Sequence, residues 1–181
     1  MTTVLHTART TLRPWRDEDR EPFAAMCADP VVMEFFPSVM TRDECDEFVQ
    51  RRATEFDERG WGLWALDVNG RGFAGFVGLA PVGFEAPFAP AIEIGWRLAQ
   101  PFWNDGLATE AALAALDYGF GVAALPEIVS FTSALNVRSQ RVMQKIGMTR
   151  RAEDDFEHPR VPEGNALRPH VLYRKKSPRA T

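Results

Sequence analysis

Apolar and polar positions along the chain change period several times, and each change predicts an element. Residues 10–15 alternate and predict a first strand. Asp17 offers an N-cap for a helix running to about Cys27, which Asp29-Pro30 ends. The apolar stretch Val31–Pro37 lacks a period and predicts a turn or loop packed near a ligand site. Thr41-Arg42-Asp43-Glu44 spells a capping box: Thr41 can accept from the Glu44 main chain while Glu44 reaches back. Cys45, Phe48, Val49, Arg52 and Phe56 then follow one helical stripe until Gly60 stops it. Residues 61–68 predict a strand, Asn69-Gly70 a two-residue hairpin turn, and residues 72–81 the return strand.

The second half continues the pattern. Pro81–Pro90 is a loop whose Phe84 and Phe88 either line a substrate mouth or pack beneath it. Ile92–Leu98 alternates as a strand, with Glu93, Gly95 and Arg97 on the face opposite Ile92, Ile94, Trp96 and Leu98. Gln100-Pro101 breaks it. Residues 109–120 carry two apolar stripes, so they predict a largely buried helix. Pro126 separates that helix from a strand over residues 127–133, and Asn136 starts a helix that ends at Gly147. Residues 150–156 and 170–174 predict a final strand pair flanking a polar loop. No repeat and no low-complexity linker interrupts the chain. The expectation is one α/β domain over residues 1–181 around a single mixed sheet.

Composition narrows the function. The chain has 181 residues, 45% hydrophobic and 25% charged, enough for one real core. A net charge of −4 argues against general nucleic-acid binding. The basic run Arg174-Lys175-Lys176 with Arg179 reads as a solvated terminus. Cys27 and Cys45 sit in helical stretches and read as small core residues. The N-terminal stretch has no long apolar run, so no signal peptide or membrane span is expected, and a cytoplasmic location is.

The chemistry concentrates between residues 92 and 109. A strand, a loop containing Gly106 and a helix start leave main-chain N–H groups free and pointing one way. They suit an anion such as a pyrophosphate, or simply connect two elements. A dinucleotide fingerprint appears by spelling at Gly70, Gly72 and Gly75, but strand-like residues follow it where a helix is required. No serine-hydrolase, P-loop or metal spacing is present.

Trp103-Asn104-Asp105-Gly106-Leu107-Ala108 resembles the Q/R-x-x-G-x-G/A signature of the GNAT acetyltransferases, with Trp103 in the first position. The run from Asn136 to Met148 matches the family's N-x-x-S-x-x-V-x-x-K-x-G-F, with Met148 in place of Phe. The wording around the first block resembles the RimJ/RimL-type branch. The resemblance implies a GNAT fold: a mixed, mostly antiparallel sheet, flanked by helices and splayed at the cofactor site. It implies acetyl-CoA as cosubstrate and a primary amine, of a protein N-terminus or a small molecule, as acceptor. It adds a homodimer as a family-level expectation.

The implied site follows residue by residue. The pyrophosphate would lie on the main chain of Asn104, Asp105, Gly106, Leu107, Ala108 and Thr109, beside Trp103. The pantetheine arm would pair near Leu98. Arg141 and Lys145 either approach the phosphates or form a solvated helix face. A Tyr that many GNATs use as general acid is replaced by Met143, which cannot donate. Ser139 is the expected donor to the leaving thiolate, with Asn136 orienting the cofactor; Ser139 can equally serve the helix surface or a local cap. Glu93 is the candidate base, or else the partner of Arg97 or a neighbouring strand in a salt bridge. Asp154, Asp155, Glu157 and His158 either attract a cationic amine or form a solvated loop. A non-catalytic acyl-CoA-binding module is the alternative reading of the whole chain.

Overall fold

Nine strands form one sheet in the order β1-β2-β3-β4-β5-β6-β9-β7, with β8 pairing β9 off this path. The structure is a computed structural model and describes residues 3–178; Arg179 and the terminal residues lie outside it. In chain order the strands are β1 (Leu5–His6), β2 (Thr10–Arg13), β3 (Leu63–Val68), β4 (Gly72–Pro81), β5 (Ile92–Leu98), β6 (Glu127–Ser133), β7 (Thr149–Arg150), β8 (Phe156–Glu157) and β9 (Pro169–Lys176). The helices are α1 (Arg20–Ala28), α2 (Arg42–Arg59), α3 (Leu107–Gly121) and α4 (Val137–Lys145). Neighbouring strands are antiparallel except β5 and β6, which run parallel and are joined through α3.

The capping box forms as spelled. Thr41 Oγ1 accepts from the Glu44 main chain at 3.3 Å, and Glu44 Oε2 accepts from the Thr41 main chain at 2.7 Å. Gly60 ends α2 with φ 75°, a left-handed conformation in which it carries no side-chain penalty. The α3 helix is buried along Leu107, Ala111, Ala112, Ala115, Leu116 and Phe120. It packs against β4 and β5, where Leu79 and Ile94 are also buried. Among the described residues no helix is long and apolar enough to cross a membrane.

Three expectations change. First, Asp17 does not cap a continuous helix. A single 3-10 turn covers Asp17–Asp19 before α1 begins at Arg20. The reason is Asp19. Its carboxylate is buried and takes Arg13 at 2.7 and 2.8 Å and the Arg16 main chain at 2.8 Å. Asp67 completes that cluster on Arg13 at 2.5 and 2.8 Å. Burial works against the Arg13 charge, but the hydrogen bonds it donates to its two carboxylate partners, with their charges, outweigh it and push its pKa up.

Second, residues 150–156 are not one strand. They split into β7, a 3-10 turn at Ala152–Asp154 and β8. Arg150 pairs with Asp155, and Arg151 with Asp154 at 3.1 Å, so side chains close a local turn instead of continuing a ladder. Third, a short β1 precedes the expected first strand and pairs with it at Leu5–Leu12 and His6–Thr11.

Candidate active site

The parallel strands β5 and β6 share a single paired position, Glu93 with Val129. Ser130 Oγ donates to the Ile94 carbonyl at 2.8 Å just beyond it. Past that bond no paired position follows, so the strands part and the β5 edge from Gly95 to Leu98 has no β6 partner. This is the splay expected of the fold. On its other side β5 pairs β4 without interruption from Ile92 to Leu98. Gly75 permits the close approach there: at φ 136°, a Cβ would lie 2.0 Å from the Arg97 carbonyl oxygen.

The loop after β5 has the geometry of an anion cradle. Asn104 and Gly106 adopt φ 64° and 78°, turning the main chain tightly before α3. Gly106 O accepts from Glu110 N–H at 3.0 Å and opens the helix. Among the described residues, the main-chain N–H groups of residues 104–109 donate to nothing in the protein. They stand at the N-terminus of a long buried helix, where the dipole adds to their pull on an anion. A phosphorylated carrier fits these groups.

Two arginines that the sequence did not point to hold this loop. Arg9 Nη1 donates to the Asp105 carbonyl at 2.9 Å, and its Nε pairs with Glu110 at 2.7 Å. Arg71, in the β3–β4 turn, reaches Asp105 at 3.1 Å and the Pro101 carbonyl at 2.7 Å, and lies over the Phe102 ring at 4.4 Å. They stand 96 and 34 residues from Asp105, so no local pattern reveals them.

Trp103 Nε1 donates to the Leu98 carbonyl at 2.7 Å, tying the loop to the end of β5. One lone pair of the carbonyl expected to meet the pantetheine arm is therefore already used. Arg138, on the first turn of α4, lies over the Trp103 ring at 4.5 Å and pairs with Glu34 at 2.5 Å. It links α4, the loop and the segment between α1 and α2. Asn136 caps α4: its Oδ1 accepts from Ser139 N–H at 3.1 Å, and its Nδ2 donates to Thr132 Oγ1 at 3.1 Å. Ser139 is half-buried beside this cap. Met143 is buried in the core. Arg141 and Lys145 are exposed, and no ion pair forms on either among the described residues.

Glu93 and Arg97 do not form the salt bridge that their shared face allowed. Burial pushes the Glu93 carboxyl up to about 7, and Arg52 and Arg160 pull only weakly the other way. Arg97 instead turns toward α1 and the following segment, where its Nη1 contacts Cys27 Sγ and Met40 Sδ.

The acidic cluster is already neutralised. Asp154 pairs with Arg174 at 3.0 Å, Asp155 with Arg150, and Glu157 with Arg168 at 3.1 Å. Phe84 and Phe88 both pack, meeting Phe131 at 5.5 and 6.0 Å and Phe156 at 6.1 and 5.0 Å. His158 and His170 join this aromatic wall with ring centres 4.7 Å apart. Burial, then the neighbouring His170 and Arg160, hold His158 down at about 4; burial also lowers His170.

A sheet that opens between parallel β5 and β6, with a glycine-bearing anion cradle at the buried helix between them, defines an acetyltransferase of the GNAT type. The chain belongs to that family: the model described as acetyltransferase (GNAT) domain matches residues 9–149. GNAT acetyltransferases use acetyl-CoA as cosubstrate. The chain is 33% identical over 150 residues to the protein YkkB of Bacillus subtilis (strain 168), covering 81% of this chain and 85% of that one. It is 34% identical over 155 residues to the FsC-acetyl coenzyme A-N(2)-transacetylase of Aspergillus fumigatus, covering 81% and 65%. A GNAT-family acetyltransferase of Bacillus anthracis superposes with a TM-score of 0.78 at 27% identity, covering 97% of this chain and 99% of that one.

Proposed function

We propose that this chain moves the acetyl group of acetyl-CoA directly to a primary amine, of a protein N-terminus or a small molecule, in a ternary complex. The observation that carries the reading is the row of unused main-chain N–H groups from Asn104 to Thr109 at the start of α3. Those residues would hold the pyrophosphate, and the free β5 edge beyond Ile94 would receive the pantetheine arm. The two sequence blocks favour the RimJ/RimL-type branch.

Acetyl-CoA supplies the acetyl group, and the protein orients it and handles protons. An ammonium must lose a proton before it can attack. Glu93, raised to about 7 by burial, is suited to take it, directly or through a water. Ser139, fixed at its main chain by Asn136, is the donor to the departing sulfur. The buried Met143 favours one competing reading, a non-catalytic acyl-CoA-binding module, because it occupies the position where many relatives place an acid. Release of free thiol from acetyl-CoA in the presence of an amine panel tests the proposal. Tight coenzyme A binding with no thiol release from any amine would instead support the binding module.

A further inference from the structure

Among the described residues, Arg97 differs from the other sheet arginines in forming no ion pair with a carboxylate. Arg13 meets Asp19 and Asp67, Arg150 meets Asp155, and Arg174 meets Glu127 and Asp154. Arg97 Nη1 instead donates to two sulfurs, Cys27 Sγ and Met40 Sδ, each at 3.2 Å. Its guanidinium lies over Phe36 at 4.3 Å and near Phe76 at 5.5 Å. Its Nε is shut off from solvent with no hydrogen-bond partner among the described residues. Sulfur is a weak acceptor and does not neutralise a guanidinium. Burial pushes the nearby Cys45 thiol up to about 12, so it brings no charge either. The cations that act on Glu93 are Arg52 and Arg160, and Arg97 is not one of them. A half-buried cation with one nitrogen shut off from solvent and unpaired gains when an anion arrives to meet it.

The face of β5 between Glu93 and Arg97 is open. Gly95 lies between Glu93 and Arg97 on the same face of β5, and a Cβ built there meets nothing within 4 Å. Each charged residue starts roughly 7 Å along the strand from this gap. One end offers a carboxyl group poised to exchange a proton, and the other a guanidinium without a counter-ion.

We infer that the acceptor is an amino-carboxylate, a free amino acid or a small amine bearing a carboxylate. Its carboxylate pairs with Arg97 over Gly95 and its amine faces Glu93. The inference rests on the acetyl-transfer reading and adds the class of acceptor. A polyamine would carry positive charge against Arg97, with Arg52 and Arg160 adding to the repulsion.

Thiol release from acetyl-CoA is measured with matched probes: standard amino acids, the corresponding carboxamides, and spermidine. The expected result is a kcat/KM at least about 10-fold higher for acids than for amides, the scale of one charge-assisted contact. Arg97→Met should raise KM for the acids by about 10-fold or more while amides change little, and Arg97→Lys should recover part of the loss. Equal use of acids and amides overturns the inference. So does a fall in kcat for both alike, which would place Arg97 at the reacting carbonyl. Turnover of spermidine alone also overturns it, and leaves acetyl transfer standing. Calorimetry of the coenzyme A-loaded protein with the amino acids reads the same contact without turnover. Binding lost in Arg97→Met supports the site even if no amine releases thiol, whereas absence of amino-acid binding to the unaltered protein sinks it.

Discussion

The indole Nε1 of Trp103 donates to the main-chain carbonyl of Leu98 across 2.7 Å. A residue of the cradle loop is thus fastened to the strand whose open edge faces the site. The bond fixes where the loop begins relative to that edge, so on the proposed function it should govern cofactor fit more than chemistry. Trp103→Phe keeps an aromatic ring under Arg138 and removes the donor. The expected outcome is a KM for acetyl-CoA raised by about 3- to 10-fold with kcat little changed, and a stability loss of about 1 kcal/mol. Steady-state kinetics and a urea midpoint check both.

As the proposed base, Glu93 should couple activity to pH. Folding raises its pKa from 4.5 to about 7, so the folded chain holds the proton more tightly than the unfolded chain. The stability that accompanies the proton is complete below about pH 4.5 and is lost as pH climbs through about 7. Glu93→Gln removes the charge without changing the shape. It should leave stability near that of the parent at acid pH and exceed it above pH 7 by up to about 3 kcal/mol. As the candidate base, Glu93 should also give kcat a rising limb with an apparent pKa near 7. The variant should lose that limb and about 100-fold or more in kcat. A pH–rate profile beside thermal melts at two pH values separates the two effects.

Asn136 and Ser139 act as a pair. The Asn136 side chain closes the first turn of α4 on Ser139 N–H. Asn136→Ala should cost about 1 kcal/mol, as lost N-caps do, and misplace Ser139. Ser139→Ala should leave stability unchanged and lower kcat by about 10-fold or more, with the KM for acetyl-CoA nearly constant. An unchanged kcat in Ser139→Ala would remove the hydroxyl from the chemistry.

The cluster of Arg13, Asp19 and Asp67 supports the fold at some distance from the cradle. The Arg13 and Asp19 side chains are 6% and 1% exposed, so removing Arg13 strands the Asp19 carboxylate in the core, and removing Asp19 leaves Arg13 with Asp67 alone and the Arg16 N–H without its acceptor. Asp19→Ala should destabilise by about 3–5 kcal/mol, read as a shifted urea midpoint, with kinetic constants of the surviving folded protein unaltered.

Elements whose signals are local were legible in the chain. The box from Thr41 to Glu44 and β6 lie where period and capping chemistry put them, and the hairpin expected at Asn69-Gly70 forms with Arg71 added to its loop, Val68 pairing with Gly72. The segment after Arg150 was not legible, because arginine–carboxylate contacts turned an alternating stretch into a bend. The loop before α3 was readable because the glycine, the helix start and the unused main-chain N–H groups all reside within a few consecutive residues. Its clamps Arg9 and Arg71 were not, since each arrives from another turn of the fold.

The sequence by itself determined the order of the longer strands and helices and the glycine-bearing loop that leaves main-chain N–H groups free ahead of α3, because each depends on spacing within a few residues. Only the tertiary structure decided which charges meet. It left Glu93 without Arg97, tied the acidic residues 154–157 to arginines, and turned the Arg97 guanidinium onto Cys27 and Met40. Charge pairing depends on distance in space and on solvent exclusion, and neither is written along the chain.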